Sequence, residues 1–143
     1  MLSQDEREVA AAVLWAVKGN AVQRGIVGWH MGWKPAREAS GEKWIGAYLS
    51  VLLADPYTAV RKVAHRSIET LPGFSGFEYD FTATPDALAA KRDEAIRRWQ
   101  KAMAAKPDRT GPRLLQNAVG DMNQAELNRI FGERDHQPIR ISE

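Results

Sequence analysis

The segment DPYTAVRKVAHRSIETLPGF, residues 55–74, has the apolar spacing of one amphipathic helix with a proline near each end. Asp55 and Pro56 suit a helix start, since a carboxylate accepts free backbone N–H groups there and proline lacks a donor that would go unused. Pro72 and Gly73 are predicted to end the helix. One face carries the side chains expected in the core: Val60, Val63, Ala64, Ser67, Ile68 and Leu71.

Periodicity upstream of this segment predicts three more helices and therefore two helical hairpins, over about residues 4–33 and 43–71. Ser3 and Glu6 have the spacing of a capping box for the first helix. Asn20 is placed to cap the second helix. That helix carries one apolar stripe, which is expected to fill the core: Val22, Ile26, Trp29 and Trp33. Similar spacing places two more tryptophans in the core: Trp44 and Trp99.

The two hairpins are weakly similar to each other, which is the pattern of a repeat protein. Val13 of the first helix corresponds to Leu49 at an offset of 36 residues, and Ile26 of the second corresponds to Val63 at an offset of 37. One residue of loop length accounts for the difference. The pattern predicts a helical solenoid of short hairpins.

The pattern changes after the second hairpin. Residues 74–81 are rich in aromatic and glycine residues and are predicted to be an ordered excursion that packs on the hairpins. Two helices are expected beyond it, over about residues 85–106 and 123–134, with Asn123 and Glu126 at the start of the second. The whole chain, residues 1–143, is therefore predicted to be one all-α domain with an irregular C-terminal helical part.

The segment from Asp55 onward resembles the second helix of a HEAT repeat. HEAT repeats carry an aspartate at the turn between their helices and an arginine six residues later, and Asp55 and Arg61 have this spacing. The resemblance implies that both residues are structural and bridge neighbouring repeats. The sequence departs from the pattern in lacking the usual proline of the first helix, and the first hairpin has Lys18 and Arg24 at the corresponding spacing.

A longer block resembles the C-terminal HEAT-like region of large bacterial proteins that combine tetratricopeptide or HEAT repeats with multihaem cytochrome motifs. It covers residues 20–81 and includes NAVQRGIVGWHMGW, EASGEKW and FEYDF. The resemblance implies that this chain is part of a larger repeat protein, and an exported one. The chain itself shows no targeting signal, so its compartment is undetermined.

Composition and motifs disfavour chemistry in this chain. Of 143 residues none is cysteine, so disulfides, thiolate catalysis and haem attachment through cysteine are excluded. The three histidines, His30, His65 and His136, lie far apart and none has a second histidine at helical spacing, so no metal site is predicted. We expect no enzyme activity and no cofactor. No apolar run approaches the length of a membrane span, so no membrane partner is expected.

The predicted function is that of a protein-interaction or structural scaffold module. Residues 9–17 are apolar on every side of the predicted first helix, and Trp15 faces away from the other large side chains. Either preceding repeats of a longer parent chain or a second copy would cover this helix, and a homodimer separated by Trp15→Glu is expected. Weaker candidates for partner contacts lie on the fourth predicted helix: Lys62, His65, Arg66 and Glu69.

An alternative function is nucleic-acid binding through a basic strip at residues 91–113. This stretch holds eight Lys and Arg residues against three acidic ones. Neighbouring carboxylates such as Asp93 and Glu94 have the spacing of ion pairs along a helix, which favours an ordinary solvated face. The net charge of the chain is only +2, so nucleic-acid binding is not expected.

Overall fold

The computed structural model describes residues 1, 3, 10–104 and 123–138 of the chain. Within these residues every regular element is a helix, which confirms the all-α prediction for this part of the chain. The helices are α1 Ala11–Lys18, α2 Ala21–Gly32, α3 Lys34–Ser40, α4 Ile45–Leu52, α5 Thr58–Ile68, α6 Pro85–Ala104 and α7 Gln124–Gly132. The predicted Ser3–Glu6 capping box involves residues outside those described.

The helices form two antiparallel hairpins with the C-terminal helices laid against them. Helix α1 contacts α2 and α4, while α2 packs along α5 and α4 packs on both α5 and α6. Helix α7 returns from the far end of the sequence to pack on α1. The core therefore lies between the two hairpins and continues under α6 and α7.

Asparagine residues start two of the helices. The Asn20 side chain accepts a hydrogen bond from the Gln23 backbone (3.0 Å), and the Gln23 side chain accepts one from the Asn20 backbone (2.9 Å). At the start of α7 the Asn123 side chain accepts from the Glu126 backbone at 3.2 Å. Both satisfy N–H groups that a helix start leaves free. The two asparagine caps are present where the sequence predicts them.

Two boundaries differ from the prediction. Helix α5 begins at Thr58, so Asp55 lies in the preceding turn and does not cap the helix. Its carboxylate accepts instead from the Tyr57 backbone N–H at 3.0 Å, which closes a local turn. The stretch expected to be an irregular connector contains the short helix α3, whose first turn includes Pro35. Proline fits this position because no intrahelical donor is needed there.

Glycine allows α2 and α5 to approach closely. A Cβ at Gly32 would lie 2.9 Å from the Ser67 backbone Cα and still closer to the Ser67 side chain. A Cβ at Gly28 would lie 3.3 Å from Leu52. These two glycines are one helical turn apart and therefore face the second hairpin together.

The aromatic excursion after α5 is packed as predicted. Phe74 and Phe77 are fully buried, and their rings meet edge to face at 5.9 Å. The Tyr79 hydroxyl donates to the Leu53 carbonyl at the end of α4. Burial raises the pKa of Tyr79 to about 12, and the nearby Arg61 opposes this shift. The segment therefore seals one end of the second hairpin.

Candidate protein-interaction surface

A buried ion cluster centred on Asp55 joins the hairpins. Arg24 Nε donates to Asp55 Oδ2 at 2.6 Å and Arg24 Nη2 donates to Oδ1 at 3.0 Å, so the pair is bidentate. Arg24 Nη1 donates to the Gly19 carbonyl at 2.6 Å. Neither Arg24 nor Asp55 is exposed to solvent by more than 1%. An ion pair this deep is held by geometry and by hydrogen bonds to its remaining atoms.

Arg61 contacts Asp55, though through the backbone. Its Nη1 atom donates to the Asp55 carbonyl at 2.6 Å, and its Nε atom donates to the Phe81 carbonyl at 2.8 Å. Arg61 therefore ties the α4–α5 turn to the excursion that follows. The Asp55 carboxylate binds Arg24 instead. In the sequence Arg24 was noted only because it occupies the position in the first hairpin that Arg61 occupies in the second.

A second arginine reaches the cluster from the C-terminal segment. Arg134 Nη1 donates to Asp55 Oδ2 at 3.4 Å, and Arg134 Nε donates to the Val17 carbonyl at 2.8 Å. Burial lowers the pKa of Arg134 to about 10; the Asp55 carboxylate opposes this shift and Arg24 adds to it. The Lys18 ammonium also pairs with Glu133 at 3.0 Å. These contacts fasten the end of α7 to the end of α1.

The apolar stripe of α2 faces solvent, so its predicted place in the core is wrong. Together with Trp15 of α1 it forms a surface that we call the α1–α2 apolar face, whose side chains are 43–54% exposed: Trp15, Val22, Ile26, Trp29 and Trp33. The buried side of α2 carries Arg24, Val27 and Met31 instead. The reason is that Gly28 and Gly32 allow α5 to approach this side of α2 closely, and the buried Arg24 is paired with Asp55. Of the other tryptophans, Trp44 is half-buried and Trp99 is buried.

An apolar groove adjoins the α1–α2 apolar face. It has a volume of about 350 Å³ and lies between α1, α2, α3 and the start of α4. Trp15 and Trp44 both line it, and Ile26 belongs to both the groove and the exposed stripe. A volume of this size is at the lower end of the range for ligand pockets. The exposed face therefore combines a ridge of side chains with a hollow beside it.

The residues proposed for partner contacts on α5 lie beside the aromatic excursion that follows this helix. His65 is half-buried, and its Nε2 atom lies 3.1 Å from the Phe77 carbonyl. The Lys62 ammonium lies 5.8 Å from the centre of the Phe81 ring. Arg66 and Glu69 are exposed. The structure does not bring these four residues together with Trp15.

The described part of the basic strip, residues 91–104, is largely paired within α6. Glu94 lies 2.8 Å from Lys91 and 3.1 Å from Arg98, and these cations lower the pKa of its carboxyl group. Lys91 and Arg98 also lie over the Phe77 ring, at 5.4 and 5.1 Å from its centre. The strip beyond residue 104 lies outside the described residues.

We expect this strip not to bind duplex DNA with submicromolar affinity at physiological salt, because paired cations release few counterions from DNA. Fluorescence anisotropy with a labelled duplex, at low and at physiological salt, measures this. Arg97→Glu with Lys101→Glu serves as the matched variant, since both side chains are exposed. Submicromolar binding that falls steeply with salt and is lost in this variant contradicts the prediction.

Histidine and carboxylate placement gives no second site. In the described ranges, no group of three or more His, Asp or Glu side chains could hold a metal ion. His30 packs edge-on against Trp29 and Trp33.

Among the helices described, none has the length and apolar character needed to cross a bilayer.

Sequence reasoning missed Arg24 and Arg134 as structural residues and misplaced the α2 stripe. The 37-residue offset that aligns Arg24 with Arg61 is the one signal that could have identified Arg24. No local pattern marks Arg134, since its partners lie about 80 and 117 residues away.

Comparison of the chain with protein-family models, with curated proteins and with solved structures found no match.

Proposed function

We propose that this chain is a non-catalytic protein-interaction or structural scaffold module, and that it meets its partner through the α1–α2 apolar face. One observation carries the proposal: three tryptophans and two aliphatic side chains stand about half exposed on neighbouring helices. The only charged residue of α2 is Arg24, which is buried. Contiguous apolar surface of this kind marks partner sites on proteins in water.

The arrangement of the hairpins supports a HEAT-like module. The first helices of the two hairpins, α1 and α4, are in contact, and so are the second helices, α2 and α5. Arg24 of one hairpin binds Asp55 in the turn of the next, which is the kind of bridge between repeats that the resemblance implies. Arg61 extends in the same way to the Phe81 carbonyl. Stacked hairpins of this type serve as scaffolds with extended binding surfaces.

The exposed face has the form of a helix-packing ridge. Val22, Ile26 and Trp33 follow one another at spacings of four and seven residues, so they form a continuous row along α2. Ile26 and His30 lie across the helix from Gly28 and Gly32, which face α5. The partner is therefore a helix or helical hairpin that packs on the side of α2 away from the second hairpin.

A photo-reactive phenylalanine analogue in place of Trp29 tests this proposal in cells that produce the protein. We expect a discrete covalent adduct, because Trp29 is the most exposed side chain of the α1–α2 apolar face. The same analogue at Glu78, an exposed position of the aromatic excursion, should give none. Equal adduct formation at the two positions in folded protein contradicts the proposal.

A further inference from the structure

We infer that the partner of the α1–α2 apolar face is a second copy of this chain, related by a two-fold axis that passes close to Ile26. This inference rests on the proposed function and names its partner. The argument comes from the shape of the face, its charge and its area.

The face presents a protrusion and a hollow side by side. Trp29 and Trp33 stack at 6.1 Å with their planes 19° apart and form the protrusion. The groove lined by Trp15 and Trp44 is the hollow. In a two-fold interface every contact occurs twice, so the indole pair of each copy fills the groove of the other. An unrelated helix would need to supply both a matching hollow and a matching protrusion.

Ile26 fixes where the axis passes. It is 46% exposed in the stripe and also lines the groove, so it lies at the boundary between protrusion and hollow. When two copies exchange protrusion and hollow, the boundary of one meets the boundary of the other. The two Ile26 side chains are therefore neighbours across the interface.

The described lining residues carry no charge that would oppose self-association. Among the part of the groove lining that the structure describes, no residue is Asp, Glu, Lys or Arg. Two of its polar groups are used internally, because the Ser40 hydroxyl donates to the Ala36 carbonyl at 2.9 Å and Trp44 Nε1 donates to the Ser40 carbonyl at 3.0 Å. Two identical faces of this kind meet without like-charge repulsion between these described residues.

The exposed area of the face limits how stable such a dimer can be. A fully buried aromatic side chain removes roughly 150–250 Å² from water, so three half-exposed tryptophans supply about 300 Å² per copy. Stable interfaces bury about 800 Å² per partner. The aliphatic side chains and the groove walls add to the indole area, so we expect a weak association.

Light scattering over a micromolar concentration series measures the association. We expect the wild type to approach twice the chain mass, and Ile26→Glu to raise the dissociation constant by about tenfold or more because it buries an unpaired carboxylate. Circular dichroism checks the helix content of the variant. If Ile26→Glu unfolds, Trp29→Lys is tested instead, since Trp29 is 54% exposed on the same face.

Single-cysteine variants locate the axis. Because the sequence contains no cysteine, any disulfide that forms must involve the introduced residue. Ile26→Cys should form a covalent dimer on mild oxidation, because the two Cα atoms must lie within about 7 Å for a disulfide to close. Glu78→Cys is the matched exposed control and should stay monomeric.

A wild type that stays monomeric at high micromolar concentration overturns the inference of a second copy. A folded Ile26→Glu variant that stays dimeric overturns it as well, because the interface then lies elsewhere. Equal cross-linking of Ile26→Cys and Glu78→Cys overturns the position of the axis. The proposed function is tested separately: a Trp29 adduct of one defined mass that is absent at Glu78 supports it even when the purified chain is monomeric.

Discussion

Asp55→Ala should lower the free energy of unfolding by about 3–5 kcal/mol, because it leaves buried arginines without their carboxylate. Arg24 and Arg134 both donate to this group, and their side chains are only 1% exposed. Loss of a helix cap alone costs about 1 kcal/mol, which is the effect expected from the sequence. Urea unfolding followed by circular dichroism measures the difference.

Asp80→Ala is the matched control for this prediction. Asp80 also accepts from the backbone two residues on, the Thr82 N–H at 2.8 Å, and it is exposed. Arg24→Met, alone and combined with Asp55→Ala, completes a double-mutant cycle in which the two changes should not add. If Asp55→Ala is no more destabilising than Asp80→Ala, the cluster does not hold the hairpins together.

Trp99→Ala should also lower the free energy of unfolding by about 3–5 kcal/mol, as for other large core truncations. Trp99 lies over Gly46 of α4, where an added Cβ would come within 2.8 Å of the indole ring. Its Nε1 atom donates to the Lys43 carbonyl at 2.6 Å. The truncation therefore removes the main anchor of α6 on α4 and leaves a buried cavity.

Trp29→Ala is the comparison for Trp99→Ala, since both tryptophans lie on helical apolar stripes. Trp99 is 4% exposed and Trp29 is 54% exposed. In a dilute monomer Trp29→Ala should change the free energy of unfolding by no more than about 0.5 kcal/mol. Comparable losses in the two variants would mean that the α2 stripe is buried within one chain after all.

Local signals were sufficient for the helices and several of their starts. Asn20 and Asn123 cap helices where the sequence places them, because a cap depends on residues three apart. Asp55 was predicted to cap α5, but the helix begins at Thr58 because the Asp55 carboxylate pairs with Arg24. A contact 31 residues away thus prevailed over a local preference.

The candidate site could be predicted only in part. Trp15 was predicted to lie at an interaction surface because residues 9–17 are apolar on every side of the helix. In the structure Trp15 is 43% exposed. The α2 stripe was assigned to the core, since periodicity shows that a helix has an apolar side without showing what covers it. Gly28 and Gly32 turn out to face α5, and they allow a closer approach than tryptophan would.

By itself the sequence determined that the described part of the chain is helical, that Asn20 and Asn123 cap helices, and that α1 is apolar on every side up to Val17. These properties follow from interactions between residues three or four apart. Only the tertiary structure decided that Asp55 joins Arg24 to Arg134, and that Trp29 and Trp33 face outward. The reason is that burial depends on which helices meet, and those contacts join residues far apart in the chain.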